Sequence, residues 1–303
     1  MLLIDGHLDL GWNALQWNRD LRCSVDTIRV HEIEMTGPGR ALNTVALPEM
    51  REGRVALCFA TMLARSTGTA APHIDYRSPA QAYSAAQGQR AYYRALEQQG
   101  HVRVLTTWPE IERHVDAWVA WDDAAGADAG GADAGDPDAR DPDADSAPPL
   151  GVVISMEGAD PILEPEDLPA WWADGLRILG PVHYGMGRYG GGTGTEQGLT
   201  DRGERLLAEM DRLGMILDLT HFSDQAFWEA LDRFEGLVLA SHNNCRALVP
   251  HQRQFSDAQI EAIVSRDGVI GVACDTWMLE LGWSKGVGTP ESVTLADVVD
   301  HSD

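Results

Sequence analysis

Residues 202–221 read RGERLLAEMDRLGMILDLTH, and this stretch carries the pattern that decides the fold. Its first half places four leucine and methionine side chains at helical spacing and ends at Gly214, a residue typical of helix ends. Met215–Leu219 follows at once as a short, mostly apolar run with the length of a buried parallel strand. The stretch therefore predicts a helix that leads directly into a buried strand, which is the repeating unit of parallel α/β folds.

The same alternation recurs along the chain. Ser78-Pro79-Ala80-Gln81 and Ser256-Asp257-Ala258-Gln259 each begin a helix with a capping serine and a reciprocal glutamine, and Ser223 opens another helix. Seven or eight such strand–helix units predict an α/β fold, a (β/α)8 barrel of the TIM type. The predicted strands are Leu2–Ile4, Val55–Thr61, Val152–Ser155, Leu176–Leu179, Met215–Leu219, Leu237–Ala240 and Val269–Ala273, with Val102–Leu105 as an accessory eighth run.

The composition limits the classes of function. The chain has 303 residues, of which 44% are hydrophobic, and a formal net charge of −24. These values exclude a disordered chain, and they argue against a nucleic-acid or anionic-membrane surface, which requires a positive patch. No apolar run reaches the ~18–20 residues of a membrane span, and no signal peptide precedes the first strand, so we expect a cytoplasmic location. Whether the chain forms a homodimer is left open by the sequence.

Two further features concern loops and thiols. Asp122–Pro149 consists almost wholly of Ala, Asp, Gly and Pro and carries a net charge of −8. Such a segment cannot bury apolar surface, so we expect a disordered acidic insertion at 122–149 within a single barrel domain of residues 1–303. A functional acidic segment is the alternative. The cysteines (Cys23, Cys58, Cys245 and Cys274) are scattered without a Cys-x-x-Cys pair and are expected to be free thiols.

Polar residues with metal-binding side chains follow the predicted strands. In α/β barrels the site is built at the carboxyl ends of the strands, so the residues just beyond each run are the candidates for it. Five of the seven predicted strands end in a good metal ligand or its neighbour. The candidates are His7 and Asp9 after the first run, and then Glu157, His183, His221 and His242 after the later runs.

The chemistry of these side chains indicates a metal centre. His7 and Asp9 stand at i and i+2 on extended backbone, so we expect both side chains to point the same way, ~7 Å apart along the strand. Imidazole and carboxylate together suit zinc, or less specifically Mn, Co or Fe. Three histidines with two carboxylates suit two metals, with one carboxylate as the bridge. Two metals ~3.5–4 Å apart can hold a bridging hydroxide and polarise a carbonyl, which is the equipment for amide hydrolysis.

Each residue also has a purely structural interpretation. A lone His-x-Asp motif is common, a single histidine after a strand is more often a hydrogen-bonded core or loop residue, and Glu157 alone could be a helix-start carboxylate. The joint placement at strand ends favours the metal centre. One class of two-metal barrel hydrolases opens with His-x-His and bridges its metals with a carbamylated lysine. Here the first motif is His-x-Asp and the single lysine, Lys285, follows no apolar run, so Glu157 is the candidate bridge.

These motifs resemble those of the membrane dipeptidase family (renal dipeptidase, peptidase family M19) of zinc dipeptidases. The order and spacing agree from residue 1 to about residue 300, apart from the acidic insertion. The matching segments are Asp5-Gly6-His7-Leu8-Asp9, Met156-Glu157-Gly158, Asp218-Leu219-Thr220-His221 and Ser241-His242.

The resemblance implies a role for each candidate. His7 and Asp9 would bind one Zn²⁺, His221 and His242 would bind the other, and Glu157 would bridge the two. His183 would stabilise the oxyanion of the tetrahedral intermediate, and Arg253 would grip the C-terminal carboxylate of the substrate. The alternative for Arg253 is a surface ion pair. The role of His251 is left open, and His31, His73, His101, His114 and His301 are interpreted as surface or packing residues.

The sequence departs from the family pattern at its end. Family members carry one more strand, ending in a Gly-Ser-Asp-x-Asp-Gly-like motif whose aspartate lies at the metal centre and handles protons. This chain stops at His301-Ser302-Asp303, inside a helix predicted to begin near Thr294. We therefore expect a barrel that lacks its last strand, and the activity of these residues alone is left open. Asp275, just after Val269–Ala273, is a candidate replacement for the missing aspartate.

The sequence thus predicts a zinc-dependent dipeptidase with two Zn²⁺ per chain, in which a metal-bridging hydroxide attacks the scissile carbonyl. The substrate would be a small dipeptide, and the resemblance allows a D-residue at its C-terminal position. The first alternative is a metal-dependent hydrolase of another amide, such as an N-acyl amino acid or a lactam. The second is a truncated, catalytically inactive barrel that binds metal.

Overall fold

The fold is described from a computed structural model that covers residues 1–37, 39–68, 74–128, 147–284 and 292–302. The chain divides into two compact units. The first comprises Met1–Met62 and Gln87–Ile154, and the second comprises Leu63–Ala86 and Ser155–Asp303.

The first unit contains parallel strands β1 (Leu3–Leu8), β2 (Val55–Leu63), β3 (Val102–Val104) and the first part of β4 (Leu150–Glu157). Their order is β1-β2-β4, and β3 pairs with β4. The register of β1 on β2 is irregular between Asp5 and Leu8, the segment that contains His7. The helices are α1 (Leu10–Gln16), α2 (Val25–Glu32), α3 (Leu47–Glu52), the second part of α4 (Pro79–Gln98) and α5 (Trp108–Asp128).

The second unit continues from the end of β4 through β5 (Leu176–Gly180), β6 (Ile216–Asp218), β7 (Val238–Ala240) and β8 (Val269–Ile270). All of these pairs are parallel and follow the chain order, which is the connectivity of a barrel-type sheet. The helices are α6 (Leu168–Ala173), α7 (Asp201–Leu213), α8 (Asp224–Arg233), α9 (Asp257–Val264), α10 (Thr276–Leu279) and α11 (Leu295–Asp300). The predicted α/β class is therefore confirmed.

The helix boundaries predicted from capping residues are confirmed. Ser256 and Gln259 form a reciprocal capping box at the start of α9, and the side chain of Ser223 accepts the backbone N–H of Ala226 at the start of α8. α7 ends at Gly214, whose φ of 71° lies in the left-handed region that glycine tolerates. These contacts involve residues three or four apart, so the local sequence is sufficient to specify them.

Three strands differ in length from their predicted ranges by three residues or more, and the others differ by one or two. β1 runs on through His7, and β4 includes Glu157 as its last residue, so these two side chains lie on strands rather than after them. β8 is shorter than Val269–Ala273. A Cβ at Gly271 would lie 2.2 Å from the carbonyl oxygen of Ser241, and the amide of Asn243 donates to the Gly271 carbonyl. The chain thus leaves the β-ladder to meet the loop after β7.

The acidic low-complexity segment begins as helix rather than as loop. α5 continues to Asp128, six residues beyond the predicted start of the insertion at Asp122. The carboxylate of Asp122 pairs with Arg54 and with the N-terminal amine. The prediction of disorder for the remainder falls on residues 129–146, which lie outside the described residues, as do His73 and Lys285.

Two smaller predictions concern cysteines and helices. None of the four cysteines, all of which lie among the described residues, forms a disulfide bond, as expected. Among the described residues, no helix combines the length and the apolar character needed to cross a bilayer.

Candidate metal centre

The carboxylate of Glu157 lies among three imidazoles in the second unit. Its Oε1 atom is 2.9 Å from Nε2 of His221 and 3.3 Å from Nε2 of His242, and its Oε2 atom is 3.5 Å from Nε2 of His183. Glu157 ends β4, and the three histidines follow β5, β6 and β7 within three residues of the strand ends. The structure thus brings these four side chains together at the carboxyl ends of parallel strands.

The imidazoles of His183 and His221 are held in the neutral form. Burial keeps the pKa of His183 and of His221 well below the ordinary value of 6.5, although the nearby Glu157 carboxylate acts in the opposite direction. A neutral imidazole offers one nitrogen lone pair, which a protonated imidazole lacks. The cluster is therefore electronically prepared to bind a cation.

The second nitrogen of each imidazole contacts a different partner. Nδ1 of His221 is 3.1 Å from the hydroxyl oxygen of Thr193, and Nδ1 of His242 is 2.8 Å from the hydroxyl oxygen of Ser241. Nδ1 of His183 lies 3.1 Å from Nη1 of Arg65. These contacts orient the three rings so that Nε2 faces the centre.

Asp218, the last residue of β6, connects the loops that carry His221 and His242. One carboxylate oxygen of Asp218 accepts the backbone amides of Thr220 and Ser241, each at 3.0 Å. His221 itself has a φ of 68°, in the left-handed region that costs energy for a residue with a Cβ. The local backbone is thus held in an unfavourable conformation that places the ring beside Glu157, a pattern found at functional sites.

Thr193 reaches His221 because the backbone before it is made of glycine. A Cβ at Gly192 would lie 1.7 Å from the carbonyl oxygen of His183, so only glycine fits at this close approach. The amide of Thr193 donates to that same carbonyl, and the Thr193 hydroxyl donates to the carbonyl of His221. The segment thereby ties the loops after β5 and β6 to each other.

Arg253 is buried beside the cluster, so the alternative of a surface ion pair is wrong. Its Nη1 donates to Oδ1 of Asn243 at 2.8 Å, and its Nη2 donates to the carbonyl of His242 at 2.8 Å. Burial lowers the pKa of its guanidinium, whereas the phenol of Tyr184 and the carboxylate of Glu157 act to raise it. The ring of Tyr184 also packs edge-on against the His183 and His221 rings. A cationic group is therefore fixed next to the imidazoles.

His7 and Asp9 belong to the first unit. Their side chains meet, with Nε2 of His7 3.5 Å from Oδ2 of Asp9, and Nδ1 of His7 lies 3.4 Å from the hydroxyl of Thr61. The expectation of extended backbone at both residues is wrong, because Asp9 (φ −79°, ψ 47°) occupies the N-cap position of α1. The helix start turns the aspartate back toward the histidine, so the two side chains lie closer than the pleat of a strand would place them.

Sequence reasoning missed several residues and left others open. Asp218 lies inside the Asp218-Leu219-Thr220-His221 motif, which predicts no role for it, and Arg65 and Thr193 lie in loops whose sequence gives no signal for metal chemistry. His251 accepts the backbone amide of Arg253 on its Nδ1 and packs edge-on against Trp277, which is a structural role. Asp275 is an exposed N-cap residue of α10, electrostatically coupled to Tyr184 and Arg253.

The donor set fits a metal ion. Oε1 of Glu157 lies 2.9 Å from Nε2 of His221 and 3.3 Å from Nε2 of His242, and both Glu157 and His221 are buried. Imidazole nitrogen with carboxylate oxygen is the ligand combination of zinc and of related transition metals. A cluster of this type at the carboxyl ends of parallel strands indicates an α/β protein with a candidate metal site.

The comparisons with known proteins agree with this class. The structure of a dipeptidase described as a metallopeptidase of family M19 covers 99% of this chain and 81% of its own, with a TM-score of 0.70 and 23% identity. A metallopeptidase from Rhodobacter sphaeroides, solved with a phosphinate mimic of the dipeptide L-Ala-D-Ala, covers 99% of this chain and 82% of its own, with a TM-score of 0.66 and 22% identity. These likenesses confirm the fold.

The family follows from the sequence comparison. The model of the membrane dipeptidase family (peptidase family M19) matches residues 138–303, which is more than half of the chain. The chain therefore belongs to this family, as the motifs predicted. A dipeptidase of Claviceps purpurea, named tcpJ, is 36% identical over 104 residues, which are 34% of this chain and 23% of that protein. The chain spans between 23% and 59% of the length of the curated relatives that it matches.

Proposed function

We propose that the chain carries the centre of a zinc-dependent dipeptidase that binds two Zn²⁺. His221 and His242 would hold one ion, His7 and Asp9 the other, and Glu157 would bridge them. The observation that carries the proposal is the contact of one oxygen of the Glu157 carboxylate with two imidazole nitrogens, at 2.9 and 3.3 Å. The assignment of His7 and Asp9 as metal ligands rests on the resemblance of their motif to that of the family.

Bound zinc would supply a Lewis acid for the scissile carbonyl and would lower the pKa of water so that it attacks at neutral pH. The chain's own residues would orient the substrate. Nε2 of His183 would donate a hydrogen bond to the oxygen on which negative charge develops. The guanidinium of Arg253, held in place by Asn243 and by the His242 carbonyl, would pair with the free carboxylate of the dipeptide.

The substrate class is a dipeptide with both ends free, and we propose tolerance of a D-residue at the C-terminal position. Family membership and the Rhodobacter relative solved with a mimic of L-Ala-D-Ala support this choice. A buried arginine would recognise the carboxylate and leave the configuration of the adjacent carbon to the surrounding side chains, among which Tyr184 packs on two of the imidazoles.

The test is a substrate panel on zinc-loaded protein, with zinc content measured by elemental analysis. L-Ala-L-Ala, L-Ala-D-Ala and their N-acetylated forms are compared for wild type, Glu157→Gln and the exposed matched variant Glu164→Gln. We expect hydrolysis of the free dipeptides alone, loss of turnover in Glu157→Gln and no change in Glu164→Gln. Cleavage of the acetylated forms would support a different amide hydrolase, and bound zinc without any turnover would support a metal-binding chain without catalysis.

A further inference from the structure

Arg65 contacts His183 at the edge of the candidate metal centre. It stands two residues beyond the end of β2, is 6% exposed, and places Nη1 3.1 Å from Nδ1 of His183. The partner of an imidazole nitrogen matters because neutral histidine has two tautomers, and the partner selects which nitrogen carries the proton.

A guanidinium can only donate hydrogen bonds. Nδ1 of His183 must therefore act as the acceptor toward Arg65, and the single ring proton of the neutral imidazole stands on Nε2. Nε2 is the atom that faces Glu157, 3.5 Å from Oε2. The nitrogen that points into the centre thus carries an N–H group and has no lone pair to offer to a metal ion.

His221 and His242 have a different kind of partner. Their Nδ1 atoms face the hydroxyl oxygens of Thr193 and Ser241. A hydroxyl accepts as well as donates, so these rings can keep the proton on Nδ1 and present the Nε2 lone pair to the centre. The partners of the Nδ1 atoms therefore distinguish the three imidazoles around Glu157. His221 and His242 can bind a metal ion through Nε2, whereas His183 can only donate a hydrogen bond through Nε2.

Arg65 is itself held rigidly. Its Nε lies 3.4 Å from Oδ2 of Asp75, its backbone amide donates to the carbonyl of Ile74, and its carbonyl accepts the amide of Tyr76. The next residue, Ser66, donates its amide to the buried carboxylate of Asp160, which also accepts the amide of Arg188 in the loop after β5. The guanidinium is thus fixed against the ring before any substrate arrives.

We propose that Arg65 is a positioning residue that fixes His183 in the Nε2–H tautomer, so that His183 donates a hydrogen bond to the substrate and does not bind the metal. The contact and the tautomer rest on the geometry of Arg65 and His183. The consequence for turnover rests on the proposed dipeptidase function.

The tautomer can be measured directly by NMR on protein with ¹⁵N-labelled histidine, through the long-range correlations between the ring nitrogens and the carbon-bound ring protons. The chain has ten histidines, and the signals that disappear in His183→Gln identify the ring of interest. We expect the Nε2–H form in wild type and in Arg65→Lys, which also only donates. In Arg65→Met we expect the Nδ1–H form to appear. An Nδ1–H ring in wild type would overturn the proposal without reference to any variant, and so would an unchanged ring in a folded Arg65→Met.

Zinc content gives a second, independent measurement. His183→Gln and Arg65→Met should each retain the wild-type zinc stoichiometry, whereas His221→Asn should bind less zinc. A lower zinc content in His183→Gln would show that His183 is a ligand and would overturn the proposal.

Kinetics provides the third measurement. In Arg65→Met we expect kcat to fall about 10- to 100-fold with little change in KM, and in Arg65→Lys we expect most of kcat to return. A fall confined to KM would contradict a role exerted through His183. If the wild type hydrolyses no dipeptide, the proposed function fails, whereas the NMR and zinc measurements still decide the role of Arg65.

Discussion

Glu32 in the first unit and Glu157 in the second are both buried glutamates, 3% and 6% exposed, yet their partners differ in kind. Glu32 accepts hydrogen bonds from the guanidinium groups of Arg19 and Arg40 and from the amide of Ala41. Both arginines also lie over the ring of Trp17. Permanent positive charges therefore surround Glu32.

Glu157 contacts imidazoles instead, and burial keeps the pKa of two of them, His183 and His221, well below the ordinary value. Neutral rings direct nitrogen atoms at the carboxylate and add no positive charge. A buried charge is stable only when it is paired or bound to a metal. The type of partner, rather than burial, therefore separates a carboxylate that stabilises the fold from one that can bind a cation.

The largest expected difference comes from exchanging each glutamate for glutamine. Glu157→Gln should lose zinc binding, and its metal-free form should be at least as stable as metal-free wild type, because it removes a charge that burial penalises. Glu32→Gln should keep the wild-type zinc stoichiometry. Elemental analysis and urea unfolding of the metal-free proteins measure both quantities. Equal zinc content in the two variants would contradict the assignment of Glu157 to the metal centre and of Glu32 to the stability of the fold.

Glu32→Gln should instead lower the free energy of unfolding by about 3 kcal/mol at pH 7, because one partner of a buried ion-pair cluster is lost. The arginines, with Arg19 as the first cause, lower the pKa of Glu32 from 4.5 to about 2. The folded state thus favours the charged form, so this stabilisation is complete above about pH 4.5 and is lost as the pH falls toward 2. Urea unfolding of the variant and of wild type should show that the difference between their free energies of unfolding becomes smaller as the pH falls from 7 to 3. A gap that stays constant with pH would contradict the assignment.

Zinc should stabilise the native state through the proposed centre that contains Glu157. At a free zinc concentration 100 times the Kd, the free energy of unfolding of wild type should rise by about 2.7 kcal/mol for each ion bound, as it does for any ligand that binds the native state only. The same increment is expected in Glu32→Gln and none in Glu157→Gln. Thermal unfolding with and without zinc measures it, and an increment in Glu157→Gln would show that zinc binds elsewhere.

The smallest effect belongs to an exposed glutamate. Glu164 pairs with Arg202 at 2.9 Å, and both side chains are more than two-fifths exposed, at 45% and 42%. Glu164→Gln should change the free energy of unfolding by less than about 1 kcal/mol, since solvent screens such pairs. Its zinc content should not change. A larger loss in urea unfolding would mean that the surface arginines around Glu164 act as a cooperative network.

Much of the fold could be predicted because its signals are local. Capping serines and glycines lie within a turn of the helix ends that they specify, and apolar runs in the sequence predict the buried strands. The ends of β1, β4 and β8 differ from the predicted ends because tertiary contacts, rather than local sequence, decide them. At Gly271, for example, the close approach to Ser241 ends the β-ladder.

The candidate site could be predicted in part for a related reason. Glu157, His183, His221 and His242 stand at the ends of parallel strands, so position in the chain implies proximity. Arg65 contacts a residue 118 positions away, and Asp75 reaches it through a loop with no chemical pattern of its own. Which nitrogen of an imidazole faces which partner depends on such distant contacts. The participation of His7 and Asp9 in the same centre stays a prediction.

The left-handed backbone of His221, with its φ of 68°, has a consequence for how this position varies. Glycine and asparagine adopt such a conformation at lower cost than histidine. In a library selected only for thermal stability, position 221 should drift toward those two residues, because natural proteins retain many positions at which stability could be improved. Histidine should persist only in a library selected for the activity that needs the imidazole. Sequencing the survivors of both selections would separate the requirements of folding from those of chemistry at this one position.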